Sequence, residues 1–543
     1  MVKNIDQVLQ ELPLKEKASL VVGAGYRSML AGILGSKVPV PGAAGMTRPI
    51  PRLGIPAIVL SDGPAGVRIE PRRKGSDASF YCTGFPIGSL LASTWNTELV
   101  ERVGESIGNE ALEYGVDVML APGMNLQRNP LCGRNFEYFS EDPYLSGKTA
   151  AAYTRGIQSQ GVGACLKHYA ANNQETNRFW NDSRVPEDVL RKLYLRNFEI
   201  AVKESAPWTI MASYNRLNGV HTQQDSWLLT DVLRGEWGFQ GLVMTDWTGR
   251  RDTAAQIEAG CDLMEPGKHS QIRELVRKVK KGELPEAALD TCVRRVLELI
   301  VKTPTFRGYR PSLRPDLEAH ASVAREAAEE GIVLLENRDG ALPLAHGTTV
   351  ALFGVGSYET LAGGTGSGHV HRPYVVSLDE GLRKEGFTVE ESLAGSYTQY
   401  IGKNRPRGSS LSRMLGGPAT PEMTICREAI EAASEGADIA ILTLSRQAGE
   451  GGDRHLEGDF LLTEGERQML AAISETFHQK GKKVVVILNI GGVIETASWK
   501  HLPDAIVLAW QPGQEGGECS WAHPVRDGQS QRTASRHLPG GLL

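Results

Sequence analysis

Cysteine is scarce in this chain, with seven scattered over 543 residues. The odd count and irregular spacing fit neither a disulfide framework nor a set of metal ligands. Buried thiols in a cytoplasmic protein are therefore expected, and no metal site. Positive charge is not in surplus either: 59 Lys and Arg stand against 64 Asp and Glu, a formal net charge of -5. A nucleic-acid binder normally carries a basic excess or stripe, whereas the cluster EPRRKG at 70–75 is short and reads as a solvated loop. No apolar run reaches membrane-spanning length. The opening MVKNIDQVLQELPLKEKASLVVGAG lacks the apolar core of a signal peptide and reads as an amphipathic helix. Nucleic acid and membrane are thus not expected partners. A glycine-rich stretch, GGTGSGHV at 363–370, is followed by no Gly-Lys-Ser/Thr, which argues against a nucleotide loop.

What the chain does have is a recurring grammar of a short apolar run, an abrupt polar or glycine cluster, and a helical stretch. AIVLSDGPAGVR (57–68), DVMLAPGMNL (117–126), GACLKHYAANNQ (163–174), TIMASYNRLNG (209–219) and GLVMTDWTG (241–249) all follow it. Continuous apolar runs suit parallel strands covered on both faces, and their alternation with helices predicts a (β/α)8-type barrel over residues 1–301. KTPTFRGYRPSLRPD breaks the pattern and reads as a linker, placed at 302–317. Buried-strand runs resume in ALFGVG, ADIAILTLSR, KKVVVILNIGG and DAIVLAWQPG, predicting a second α/β domain over 318–518.

In such a barrel the polar clusters at the strand ends collect on one face, bringing Asp62, Lys167, His168, Tyr214 and Asp246 toward a common pocket. Taken alone, Asp246 fits a helix N-cap as well as a functional carboxylate. Its company favours function, because cationic Lys167 and Arg134 can keep a nearby carboxylate ionised. His168 is by itself as consistent with a hydrogen-bonded core histidine as with chemistry. Convergent polar groups beside Trp247 suit a sugar ring, hydroxyls on one side and an indole on the apolar face.

The same stretches resemble glycoside hydrolase family 3, the β-glucosidase/β-xylosidase group. The resemblance runs from LSDGPAGVR to AWQPGQEGG through NPLCGRNFEYFSEDPYLSG, CLKHYAANNQETNR, MASYNRLNGV, LLTDVLRGEWGFQGLVMTDW and SRQAGEGGDR. It implies a retaining, exo-acting β-glucosidase that needs no metal or organic cofactor, with small oligosaccharides or aryl and alkyl β-glycosides as substrates. Asp246 would be the nucleophile and Glu450, on a glycine-flanked loop of the second domain, the general acid/base. Asp62, Arg134, Lys167, His168, Arg178 and Tyr214 would hold the terminal sugar's hydroxyls, with Trp247 lining the same subsite. Composition alone does not select Glu450 from Asp453, Glu457 and Asp459. The N-acetylglucosaminidase branch is disfavoured, since KHYAANN replaces its KHFPGHG pattern. A β-xylosidase or dual activity stays open.

The ending ECSWAHPVRDGQSQRTASRHLPGGLL departs from the family. Moving its possible codons forward by one nucleotide permits I-L-S-G-T-V-N-P-S-G-R-L-P-V-T-F-P, matching the family's pattern. Residues 519–543 thus read as an out-of-frame tail after a frameshift near Glu518. The expectation is a C-terminally truncated family member whose α/β sandwich is incomplete and whose fibronectin type III domain is absent. A sugar-binding but catalytically silent protein is the alternative that follows.

Overall fold

The computed structural model describes residues 4–26, 38–73, 75–249, 252–407 and 417–518. Its strands are β1 (Gly45–Met46), β2 (Val59–Asp62), β3 (Val118–Leu120), β4 (Gly163–Tyr169), β5 (Asp182–Ser183), β6 (Thr209–Ala212), β7 (Arg216–Leu217), β8 (Val220–His221), β9 (Leu242–Met244), β10 (Val333–Asn337), β11 (Thr349–Phe353), β12 (Thr388–Val389), β13 (Ile439–Arg446), β14 (Lys483–Ile490) and β15 (Ala505–Leu508).

The first sheet has six strands in the order β1-β2-β3-β4-β6-β9. From β2 to β9 they pair in parallel, and every residue of these strands is buried. Burial on both faces is why the runs are continuously apolar rather than alternating. The sheet curls. Met244 bridges Leu263, Met264 bridges Val22, and Ala24 N donates to Met46 O of β1 at 2.8 Å. This arrangement is consistent with a (β/α)8-like barrel. Parallel register puts the carboxyl ends of β2, β4, β6 and β9 on one rim.

Helices cover this sheet at close range. Thr97–Tyr114 is capped by Asn96, whose side chain accepts from Glu98 N and Leu99 N, and it stops at the left-handed Gly115. It lies against Pro143–Ser159 so tightly that a Cβ on Gly156 would fall 2.0 Å from Glu101 O.

The second sheet also has six strands, in the order β10-β15-β14-β13-β11-β12, parallel except for the β10–β15 pair. Helix Glu464–Gln479 contributes Leu470, Ile473 and Phe477 to the core on one face, while Leu378 and Leu382 close the other. The expected incomplete sandwich is not found. β15 is an interior strand, hydrogen-bonded on both sides, and all six strands end by Leu508. The segment after β15 turns back onto the first half: Trp510 Nε1 donates to Ser93 Oγ at 3.1 Å, and Gln514 Oε1 accepts from Gly84 N at 3.0 Å. The predicted out-of-frame tail, 519–543, lies outside the described residues. No helix among the described residues is long and apolar enough to cross a membrane.

The helix contact gives a direct check. Gly156→Ala should destabilise the fold by about 1–3 kcal/mol through overpacking, measured as a lower midpoint in denaturant with an unchanged slope.

Candidate active site

Asp62 ends β2, and its Oδ2 meets Arg68 at 2.6 Å while Lys167 Nζ stands 3.5 Å from Oδ1. Lys167 and His168, near the end of β4, are almost completely buried. His168 N donates to Asn125 Oδ1 at 2.8 Å, and its Nδ1 lies 3.3 Å from both Asn125 Oδ1 and the Tyr138 hydroxyl. Burial, with Arg134, Lys167 and Arg178 nearby, pushes the imidazole well below its usual range, so it is neutral. Arg134 is fully enclosed, paired with Glu137, and donates to Ser367 Oγ at 3.2 Å.

Asp246 follows β9 on the same rim. Its Oδ1 accepts from Trp247 N at 2.7 Å, and its Oδ2 lies 3.8 Å from His168 Nε2. That second oxygen is buried and completes no hydrogen bond among the described residues. Tyr214 stands beside it, its phenol pushed well above the usual range by burial and by the charges of Asp246 and Glu450. The half-buried Trp247 is fixed by its Nε1, which donates to Ala44 O at 3.1 Å.

Glu450 arrives from the other sheet, on the loop after β13. Arg446 at the strand's end anchors that exit through two bonds to Glu466, at 2.6 and 2.7 Å. Glu450 Oε1 accepts from Arg178 Nη1 at 2.8 Å and Oε2 from Ser367 N at 3.1 Å, with Arg134 Nη1 at 3.9 Å. Gly366 lets the two loops touch: it takes φ +72°, and a Cβ there would lie 2.4 Å from Glu450 Cβ. The structure therefore brings all nine sequence-predicted positions, Asp62, Arg134, Lys167, His168, Arg178, Tyr214, Asp246, Trp247 and Glu450, around one site built from both halves. Among the described residues, no group of three His, Cys, Asp or Glu is placed to hold a metal ion.

At Asp246 the cations act in the expected direction, against burial. Burial outweighs Arg134 and Arg178 there and, with Glu450 adding to it, raises Asp246 to about 6. Glu450 is the carboxylate those cations hold. Burial pushes it up, but Arg134, Arg178, Lys167 and the Ser367 amide together keep it well below the ordinary range.

Several structural partners carried no motif of their own. Glu175 Oε2 accepts from Arg178 Nη1 at 2.7 Å and from Gly451 N at 2.8 Å. Asp453 accepts from Glu175 N at 2.8 Å, Thr176 N at 2.9 Å and Gly133 N at 3.3 Å, which clasps the two halves. The acidic residues of QET and GGDR were visible in the sequence, but pairing loops 275 positions or more apart was not. The glycine-rich stretch at 363–370 is also explained: Gly364 and Gly368 lie against the Phe136 ring, where Cβ atoms would fall 2.3 and 2.5 Å from ring carbons.

Residues 48–299 match the glycosyl hydrolase family 3 N terminal domain, and residues 332–522 match the glycosyl hydrolase family 3 C-terminal domain. A structure of β-glucosidase 3B from Thermotoga neapolitana in complex with α-D-glucose superimposes with a TM-score of 0.91 at 49% identity, over 96% of this chain and 73% of that one. The chain belongs to glycosyl hydrolase family 3. Among family 3 relatives, thermostable β-glucosidase B from Acetivibrio thermocellus is 40% identical over 391 residues, 71% of this chain and 49% of that protein. Exo-α-(1→6)-L-arabinopyranosidase from Bifidobacterium longum is 36% identical over 525 residues, 94% of this chain and 63% of that protein. The chain thus spans about half to two thirds of the length of these curated relatives. The matches overturn the expected C-terminally truncated member: 94–96% of this chain aligns with relatives, and the C-terminal domain match runs to residue 522, past the inferred break.

The family 3 clasp can be tested alone. Asp453→Ala strands three amides that now share its carboxylate, costing about 1–3 kcal/mol. Hydrogen exchange at Gly133, Glu175 and Thr176 should quicken selectively; unchanged exchange there would contradict the clasp.

Proposed function

We propose that the chain is an exo-acting retaining β-glucosidase, releasing terminal non-reducing β-D-glucosyl units through a covalent glycosyl–Asp246 intermediate. The observation that carries this reading is the convergence, from separate sheets, of buried Asp246 and partly buried Glu450 within the influence of the same Arg134 and Arg178, with Asp246 Oδ2 making no hydrogen bond among the described residues. Retention uses carboxyl groups about 5–5.5 Å apart across the scissile bond. Asp246 Oδ2 attacks the anomeric carbon, and the bond to the leaving oxygen breaks as Glu450 gives that oxygen its proton. Glu450, now a carboxylate, takes a proton from water, whose oxygen attacks the same carbon and frees Asp246. Asp62, Arg134, Lys167, His168, Arg178 and Tyr214 bind the sugar's hydroxyls, and Trp247 covers its apolar face. In the same reading, the curled sheet is a (β/α)8 barrel spanning 1–301, joined by 302–317 to the acid/base-bearing domain at 318–518.

Asp246→Ala should abolish hydrolysis of aryl β-glucosides, and near-wild-type turnover would refute the assignment. Glu450→Ala should cost cellobiose at least tenfold more than aryl glucosides with good leaving groups, which need little protonation. The substrate panel includes β-xylosides and α-L-arabinopyranosides, because a relative aligned with 94% of this chain carries the latter name.

The pH dependence has a distinctive sign. Asp246 and Glu450 hold one proton between them until Asp246 loses it near pH 6. Cellobiose needs that proton, so its kcat/KM should fall as pH rises through about 6. An aryl glucoside with a good leaving group needs only ionised Asp246, so its kcat/KM should rise through the same range. Parallel profiles for both substrates would contradict this titration.

A further inference from the structure

In the mechanism above the leaving oxygen lies at Glu450, so the rest of the leaving group extends past the loops beside that carboxylate. One of them is 175–181, after β4, and most of it is already engaged. Arg178 Nη1 donates to Glu450 Oε1 at 2.8 Å, and Glu175 Oε2 accepts from Gly451 N at 2.8 Å. Thr176 N donates to Asp453, and the Phe179 ring lies 4.6 Å from that of Tyr214. Trp180 differs: at 68% it is the most exposed large apolar side chain among the described residues. Two residues span at most about 7 Å, so its Cα lies that close to the Cα of Arg178. Its backbone is well held. Trp180 N and Asn181 N both donate to Asn177 O, at 2.8 and 2.9 Å, and Arg216 N donates to Asn181 O at 2.8 Å. β5 then pairs with β7, and β7 with β8. An indole left in water forgoes the burial that ordinarily stabilises it, and a backbone this constrained has little freedom to lose when a ligand docks.

We propose that Trp180 is a specificity-determining residue, an aromatic platform that takes a second pyranose ring or an aryl ring of the leaving group against its exposed face. The proposal rests on the assignment of Glu450 as acid/base and describes the leaving-group side of that same site. A pyranose ring presents C–H groups on one face, and these are drawn to the negative face of an indole; an aryl ring packs there offset or edge-on. Neither contact requires a particular linkage or hydroxyl pattern. The platform therefore favours cyclic leaving groups as a class over small or linear ones. Trp247 is distinct from it, half-buried and pinned by the bond from its Nε1 to Ala44 O, and serves the terminal sugar in the reading above.

β-D-Glucosyl fluoride provides the test, because its leaving group is a single atom that needs no platform. In Trp180→Ala the ratio of kcat/KM for cellobiose to that for glucosyl fluoride should fall about three- to tenfold, the effect of losing one stacked ring. The ratio for an aryl β-glucoside should fall with it. Trp180→Phe, which keeps a ring, should retain most of both ratios, and Trp180→Leu, apolar without a ring, should not. Unchanged ratios in Trp180→Ala would overturn the proposal, whether activity is kept on every substrate or lost equally on all. A variant that fails to fold shows as a lost thermal transition; Trp180→Phe and Trp180→Leu then carry the comparison, and equal ratios in those two would overturn it. Failure of the underlying function is distinguishable, since the wild-type chain itself would then hydrolyse neither glucosyl fluoride nor cellobiose.

Discussion

Arg178 Nη1 donates to Glu175 at 2.7 Å and to Glu450 at 2.8 Å, and most of the site's behaviour can be traced to that shared nitrogen. It ties a loop of the curled sheet to a loop of the open one. It also supplies, with Arg134, the charge that holds Glu450 ionised. Removing Arg178 would leave Glu175 and Glu450 with less compensation, a costly change for charges withdrawn from water. The guanidinium also lies 4.8 Å over the Tyr214 ring, so its position is set from that side as well.

Placing two carboxylates on separate sheets makes their separation depend on how the halves meet. The contact is correspondingly dense in backbone bonds. Gly449 N donates to Gly133 O at 3.0 Å, Arg454 N to Leu131 O at 2.8 Å, and Cys82 N to His371 O at 3.0 Å. Gly133 has no room for a side chain, since a Cβ would fall 2.0 Å from Gly452 O. Backbone-to-backbone seating of this kind fixes the Glu450 loop far more tightly than flexible side chains would, and catalysis in general is sensitive to displacements of an ångström.

Much of this was legible from residue order. Parallel strands buried on both faces announced themselves as continuous apolar runs, and the polar residues that closed each run mark the rim of the site. Asp62, Lys167, His168, Tyr214 and Asp246 follow that logic alone, whereas Glu450 and Arg178 required the family resemblance. What local sequence does not encode is which charge touches which. Arg134 and Lys167 were visible as cations, but their stronger hold on Glu450 than on Asp246 depends on a loop from a distant strand. The partners of Glu175 and Asp453 were hidden for the same reason. The unusual ending suggested a sandwich without its closing elements, yet β15, the last strand in the chain order, already sits between β10 and β14.

The central proposal is that Asp246 is the nucleophile and that Glu450 reaches it from the other sheet as acid/base. Peptide mapping by mass spectrometry after inactivation with a 2-deoxy-2-fluoro-β-D-glucoside, which slows release of the glycosyl intermediate, tests this directly. A hexosyl adduct on Asp246 is the predicted result. An adduct on another residue would contradict it.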